Sequence, residues 1–162
     1  MVGVGHRLRG DDLAGPLVCD MLKERLESEE KPTWGDLQVI DSDVMPENFA
    51  KPIRESGADL VIFVDAIDSD KGAGTLWKVG DDDIGVPMPN THSLPLSFLI
   101  DNIRGHVGGV LLIGIQAKGL GMFTEMSPEV KEGCRNLIDM IWEGRWDDIH
   151  DIKMGIETGP IR

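Results

Sequence analysis

No apolar run in this 162-residue chain reaches the ~20 residues that a bilayer-spanning helix needs, so a membrane-embedded class is excluded. Cysteine is almost missing. Cys19 and Cys134 lie far apart with no CxxC pairing, which argues against a disulfide scaffold and for a reducing compartment. Positive charge is scarce as well: 16 Lys and Arg stand against 29 Asp and Glu, a formal net charge of −13. That balance argues against nucleic acid or an anionic membrane as partner, and suits a protein that attracts cations or a basic partner. The N-terminus shows no basic segment followed by a long apolar stretch, so no signal peptide is expected and a cytoplasmic location is.

Familiar catalytic signatures are also absent. There is no GxSxG nucleophile elbow and no HExxH. Gly3 and Gly5 begin a GxGxxG pattern, but Leu8 stands where its third glycine belongs. Gly5 and Gly10 have P-loop spacing, yet Asp11 and Asp12 stand where the lysine and hydroxyl should be, and a carboxylate there repels phosphate.

What is present is one domain's worth of chain, 17.8 kDa and 41% hydrophobic, with alternating elements. "MVGVG" reads as the end of a short strand. Residues 13–29 carry Leu13, Leu17, Met21 and Val18, Leu22, Leu26 at helical spacing. "LQVID" (37–41) reads as a strand, and 46–57 as a helix that Pro52 shortens or kinks. "ADLVIFVDAI" (58–67) and "GGVLLIGIQ" (108–116) are continuous apolar runs of the kind buried on both faces of a parallel sheet. "GTLWKV" (74–79) reads as an edge strand. Leu96, Leu99, Ile100 and Ile103 form one helical face; Val130, Cys134, Leu137, Ile138 and Ile141 form another. The order predicts an α/β fold, a three-layer αβα sandwich with a mostly parallel, doubly wound sheet. Residues 1–144 are expected to form the domain and 145–162 a polar extension, in which "DDIHDI" (147–152) reads as a solvated charge cluster.

In such sheets ligands bind beyond the carboxyl ends of the strands. Asp12 follows the first strand, Asp65 ends the run "LVIFVDAI", and His92 lies in "NTHSLPLSFL" before a helix. Each has a plain structural reading. Asp11 and Asp12 could cap the following helix, Asp65 could brace a loop, and His92 could be a hydrogen-bonding loop residue. Together they make an O,O,N set on one sheet edge that would suit Ni²⁺, Zn²⁺ or Mn²⁺ and leave coordination positions open.

"GVGHRLRGDDLAGP", "VIDSDVMPENF", "VIFVDAIDSDKGAGTLWKV", "THSLPLSFLIDNI" and "LLIGIQ", in this order, resemble the hydrogenase maturation proteases. The THxxPL stretch is most similar to the branch serving formate-hydrogenlyase-type and coenzyme-F420-reducing hydrogenases. The resemblance covers about residues 3–143. It implies an endopeptidase of aspartic type that removes a short C-terminal peptide from the nickel-loaded precursor of a NiFe hydrogenase large subunit. It also implies Asp12, Asp65 and His92 as metal ligands, with nickel supplied by the substrate and zinc or cadmium able to substitute. Asp12 becomes a candidate general base, Asp41 a secondary residue for substrate recognition, and Asp11 a cap for the following helix. A monomer is expected, with 81–90 and 117–123 as mobile flanks of the cleft. Two departures stand out. His6 replaces the asparagine usual after the second glycine, and only Met1 and Val2 precede the motif.

Two rivals share these ligands. One is a nickel-dependent checkpoint module that binds the precursor without cutting it. The other is a metal-dependent peptidase acting on unrelated peptides.

Overall fold

Two long strands carry the architecture. The computed structural model describes residues 1–28, 31–79 and 93–152, of which 93–95 by backbone alone. In it β3 (Val61–Ile67) and β5 (Val110–Gln116) pair in parallel through seven residues, from Val61 opposite Val110 to Ile67 opposite Gln116. Every residue of β3 is buried, as its apolar residues require, and Asp65 is buried with them. Around this pair stand β1 (Val2–Gly3), β2 (Ile40–Asp41) and β4 (Leu76–Val79), giving the sheet order β2-β1-β3-β5-β4. All pairings are parallel except β4 against β5, which is antiparallel.

The faces divide by alternation along the strands. Ile62, Val64 and Ala66 of β3, with Leu111, Ile113 and Ile115 of β5, pack beneath α1 (Ala14–Ser28) and α4 (Pro128–Trp142). Val61, Phe63 and Leu112 face the other way, against Ile53 of α2 (Ala50–Glu55) and Leu96, Leu99, Ile100 and Ile103 of α3 (Ser93–Ile103). This is the expected three-layer sandwich. The helix stripes read from the sequence are the buried ones: Ala14, Val18 and Leu22 on α1, and Val130, Cys134, Leu137, Ile138 and Ile141 on α4.

The differences lie in the short elements. The strand expected over 37–41 ladders only at Ile40 and Asp41, because its partner β1 is two residues long and offers nothing further to bond. The helix expected over 46–57 divides into a 3-10 turn (Pro46–Phe49) and α2, with Pro52 in the first turn of α2 where no amide donor is needed. After a 3-10 turn at Trp146–Asp148, residues 150–152 run beside β4: Lys78 N–H donates to the His150 carbonyl at 2.8 Å, Ile152 N–H donates to the Lys78 carbonyl at 2.9 Å, and Ile149 is buried. Within "DDIHDI", Asp147 and Asp151 lie 3.9 and 3.6 Å from the Lys78 ammonium.

The winding positions the site. From β1 the chain crosses by α1 outward to β2, whereas β3 leads to the opposite side of the sheet. The sheet reverses direction between β1 and β3, and the crevice beyond the carboxyl ends of strands at such a reversal is where α/β sheets hold ligands. Among the described residues, no helix is long and apolar enough to cross a membrane.

Candidate functional site

Beyond Gly3 the chain leaves the sheet in a tight turn. Gly5 has φ +143°, and a Cβ there would lie 1.9 Å from the Asp12 carbonyl oxygen, so only glycine lets the turn close. The His6 amide donates to Asp12 Oδ2 at 3.0 Å, and the Leu8 amide donates to His6 Nδ1 at 3.1 Å. Asp12 belongs to a 3-10 turn, Gly10–Leu13, that leads into α1 and packs against β3. Asp65 lies two residues before the end of β3, paired in register with Gly114. The two carboxylates therefore flank the sheet reversal, with 3% of Asp12 and 1% of Asp65 exposed.

Their neighbours differ in what they do. Asp41 ends β2, but its Oδ2 accepts from Arg7 Nη2 at 2.5 Å and its Oδ1 accepts from the Asp43 amide at 3.1 Å. Arg7 also donates to both oxygens of Asp20, at 2.7 and 2.8 Å. The Asp20 and Asp41 carboxylates raise the Arg7 guanidinium further, and Arg7 in turn holds the Asp20 carboxyl below its usual range. Asp41 is thus near the site and engaged by a cation. Gln116, buried at the end of β5, accepts from the amide and hydroxyl of Ser69 at 2.7 and 2.6 Å and donates to the Ala117 carbonyl at 2.8 Å. It fastens the segment after Asp65 to the neighbouring strand.

Asp11 does not cap α1. It is fully buried and reaches instead to the other end of the chain. Oδ2 accepts from the Lys118 amide (2.8 Å), the Gly119 amide (2.8 Å) and the Ser127 hydroxyl (2.9 Å), while Oδ1 accepts from the Ser127 amide (2.6 Å). Ser127 precedes the first residue of α4, so the carboxylate lies at that helix's positive end. Residues 117–123, expected as a mobile flank, are tied down by this carboxylate, by Arg9 Nε donating to the Leu120 carbonyl and by the Phe123 amide donating to the Leu8 carbonyl.

His92 and the loop 81–90 lie outside the described residues. Among the described residues no three His, Cys, Asp or Glu side chains form a group that could hold a metal ion. Both thiols are buried. Desolvation, with smaller contributions from Asp41 and Asp11 respectively, pushes Cys19 up to about 11 and Cys134 up to about 12, which disqualifies either as a nucleophile at neutral pH.

Arg7 and Asp11 were the contributions that local reading missed. Arg7 shows only as a base in an acid-rich turn, and the partners of Asp11 lie more than 100 residues away. The one local hint was the adjacency of two acids where a single cap would do.

The family profile described as "Hydrogenase maturation protease" matches residues 16–144. The chain belongs to the hydrogenase maturation protease family. It is accordingly a peptidase. Among its relatives, the Hydrogenase 3 maturation protease of Escherichia coli K12 is 34% identical over 144 residues, covering 87% of this chain and 88% of the relative. The solution structure of the Escherichia coli endopeptidase HycI superposes with a TM-score of 0.79 at 30% identity, covering 96% of this chain and 97% of that one. The crystal structure of a NiFe hydrogenase maturation protease HycI from Thermococcus kodakarensis gives 0.71 at 30% identity, with 89% of each chain covered. This maturation protease therefore carries its two buried carboxylates on a fold shared, almost end to end, with named endopeptidases.

Proposed function

We propose that this maturation protease is an endopeptidase that removes a short C-terminal peptide from the nickel-loaded precursor of a NiFe hydrogenase large subunit. The observation that carries the reading is the pair Asp12 and Asp65. Two nearly inaccessible carboxylates flank the sheet reversal in a chain of net charge −13, and buried carboxylates in such a crevice favour a cationic ligand. With His92 they supply two oxygens and one nitrogen, donors suited to a divalent ion of intermediate softness.

Nickel belongs to the substrate. Held by the precursor's own thiolates, it would be recognised at its open positions by Asp12, Asp65 and His92, which brings the C-terminal segment to the cleft and makes the loaded state the condition for cutting. Zinc and cadmium accept the same donor set and are expected to compete in vitro. Hydrolysis needs a base to take the proton of the attacking water, and Asp12, oriented by the His6 amide, is the group assigned to that role. Asp41 serves recognition through Arg7 rather than as a ligand. The protein is expected to act in the cytoplasm as a monomer.

The test is intact-mass analysis of the nickel-loaded precursor after incubation with wild type or Asp12→Ala. Release of one discrete C-terminal peptide by wild type alone, absent without nickel, is expected. A precursor that stays whole yet binds the protein in a nickel-dependent manner would replace the protease by a checkpoint module. Undiminished cleavage by Asp12→Ala would move the base elsewhere.

A further inference from the structure

The 3-10 turn Gly10–Leu13 carries Asp12 and is closed by backbone bonds, the Asp12 amide donating to the Arg9 carbonyl at 3.0 Å and the Ala14 amide to the Asp11 carbonyl. Arg9 precedes it without a side-chain cap bond, and the side chain that ties the turn to a distant segment is Asp11. Its carboxylate gathers three N–H donors and one O–H donor from 118–127, and its own amide donates to the Gly119 carbonyl at 2.9 Å. Residues in a 3-10 turn follow one another at about 120°, so neighbours point in different, coupled directions. One acid looks to the loop before α4, and the next looks to the turn at His6.

We propose that Asp11 is a positioning residue: by locking the 117–127 segment to the Gly10–Leu13 turn it sets the direction in which Asp12 faces the crevice. The two adjacent acids thus divide the work, one fixed in the protein and one presented to the substrate. The consequence for cleavage rests on the proposed function; the coupling between Asp11 and Asp12 does not.

The Asp11→Asn variant is the sharp probe. All four partners of the carboxylate are donors, and in either orientation the amide must set its NH₂ group against a backbone N–H. Amide shifts of the ¹⁵N-labelled protein report the result without any precursor. In Asp11→Asn the Gly119 and Ser127 amides are expected to move because their acceptor changes, and the His6 amide is expected to move with them because Asp12 Oδ2 has turned away. Movement of Gly119 and Ser127 with His6 unchanged would overturn the proposal, leaving Asp11 a local brace of the loop.

Should Asp11→Asn fail to fold, Ser127→Ala removes only the hydroxyl donor and keeps the amide. A smaller His6 displacement in the same direction is then expected, and an unmoved His6 beside a moved Gly119 overturns the proposal equally. On the nickel-loaded precursor, Asp11→Asn is expected to lower kcat by about 100-fold, with KM little changed, well below its melting temperature. A lowered melting temperature with kcat intact would also overturn it. If wild type cleaves nothing, the functional reading falls while the amide shifts still decide the coupling.

Discussion

His6 stands where the family turn usually has asparagine, and its contacts explain the exchange. An asparagine in such a turn accepts the amide two residues on through its side-chain oxygen. His6 does the same with Nδ1, accepting the Leu8 amide at 3.1 Å, which requires the proton to sit on Nε2. The imidazole is therefore a turn-forming acceptor rather than an added metal donor. His6→Asn is expected to leave the urea midpoint and the cleavage rate close to wild type, whereas His6→Ala should cost about 1 kcal/mol by losing that bond. A large loss of activity in His6→Asn with stability intact would return the imidazole to the chemistry. The thiols give a second check. With Cys19 pushed up to about 11 and Cys134 up to about 12, alkylation at neutral pH should label neither in the folded protein and both in urea, and should leave peptidase activity unchanged.

Gly15 shows how closely α1 lies on the sheet. A Cβ there would be 2.2 Å from the Val4 carbonyl oxygen and 2.7 Å from that of Val64. On an exposed helix Gly→Ala gains roughly 0.5–1 kcal/mol from backbone entropy. At Gly15 the sign reverses, because α1 must lift away from both β1 and β3. Gly15→Ala is expected to destabilise by about 3 kcal/mol, read from the urea midpoint, and to disturb the turn bearing Asp12. A neutral or stabilising effect would mean that α1 does not rest on those carbonyls. The contrast marks what the sequence made legible. β3, β5, α1 and α4 follow from apolar runs and helical stripes that are each complete within one segment. β1 and β2 were legible as strands but the shortness of their ladders was not, because pairing sets it: β1 is bonded at Val2 and Gly3 to both β2 and β3, and β2 meets β1 at Ile40 and Asp41. The antiparallel direction of β4 depends on which edge of β5 remains open, and the reach of Asp11 to Lys118, Gly119 and Ser127 depends on packing that brings distant segments together. Asp12 and Asp65 were readable because strand ends are readable; the binding of Asp41 to Arg7 was not.

The whole molecule carries −13 against itself, and its response to pH combines two effects of opposite sign. Above the isoelectric point, near 4.6, lowering the pH removes negative charge and relieves repulsion in the compact state, so stability should rise as neutral pH is left behind. Against this stands the Arg7 bridge, which joins the turn before Asp12 to α1 through Asp20 and to β2 through Asp41. Arg7 depresses the Asp20 carboxyl in the folded protein below its ordinary value of 3.8. A depressed carboxyl contributes stability that is complete above the unfolded value and is lost as the pH falls through the folded one. Stability should therefore pass through a maximum at about pH 5 and fall on the acid side. Asp20 is half exposed, so its share is below about 1 kcal/mol. Urea midpoints of wild type and Asp20→Asn, taken in low salt, should differ by a constant small amount from neutrality down to about pH 5 and then converge as Asp20 protonates. At higher salt the rise between neutrality and the maximum should flatten first, since it comes from separated charges, while the contact between Arg7 and Asp20 fades more slowly. A gap that stays the same on both sides of the maximum would remove Asp20 from the account.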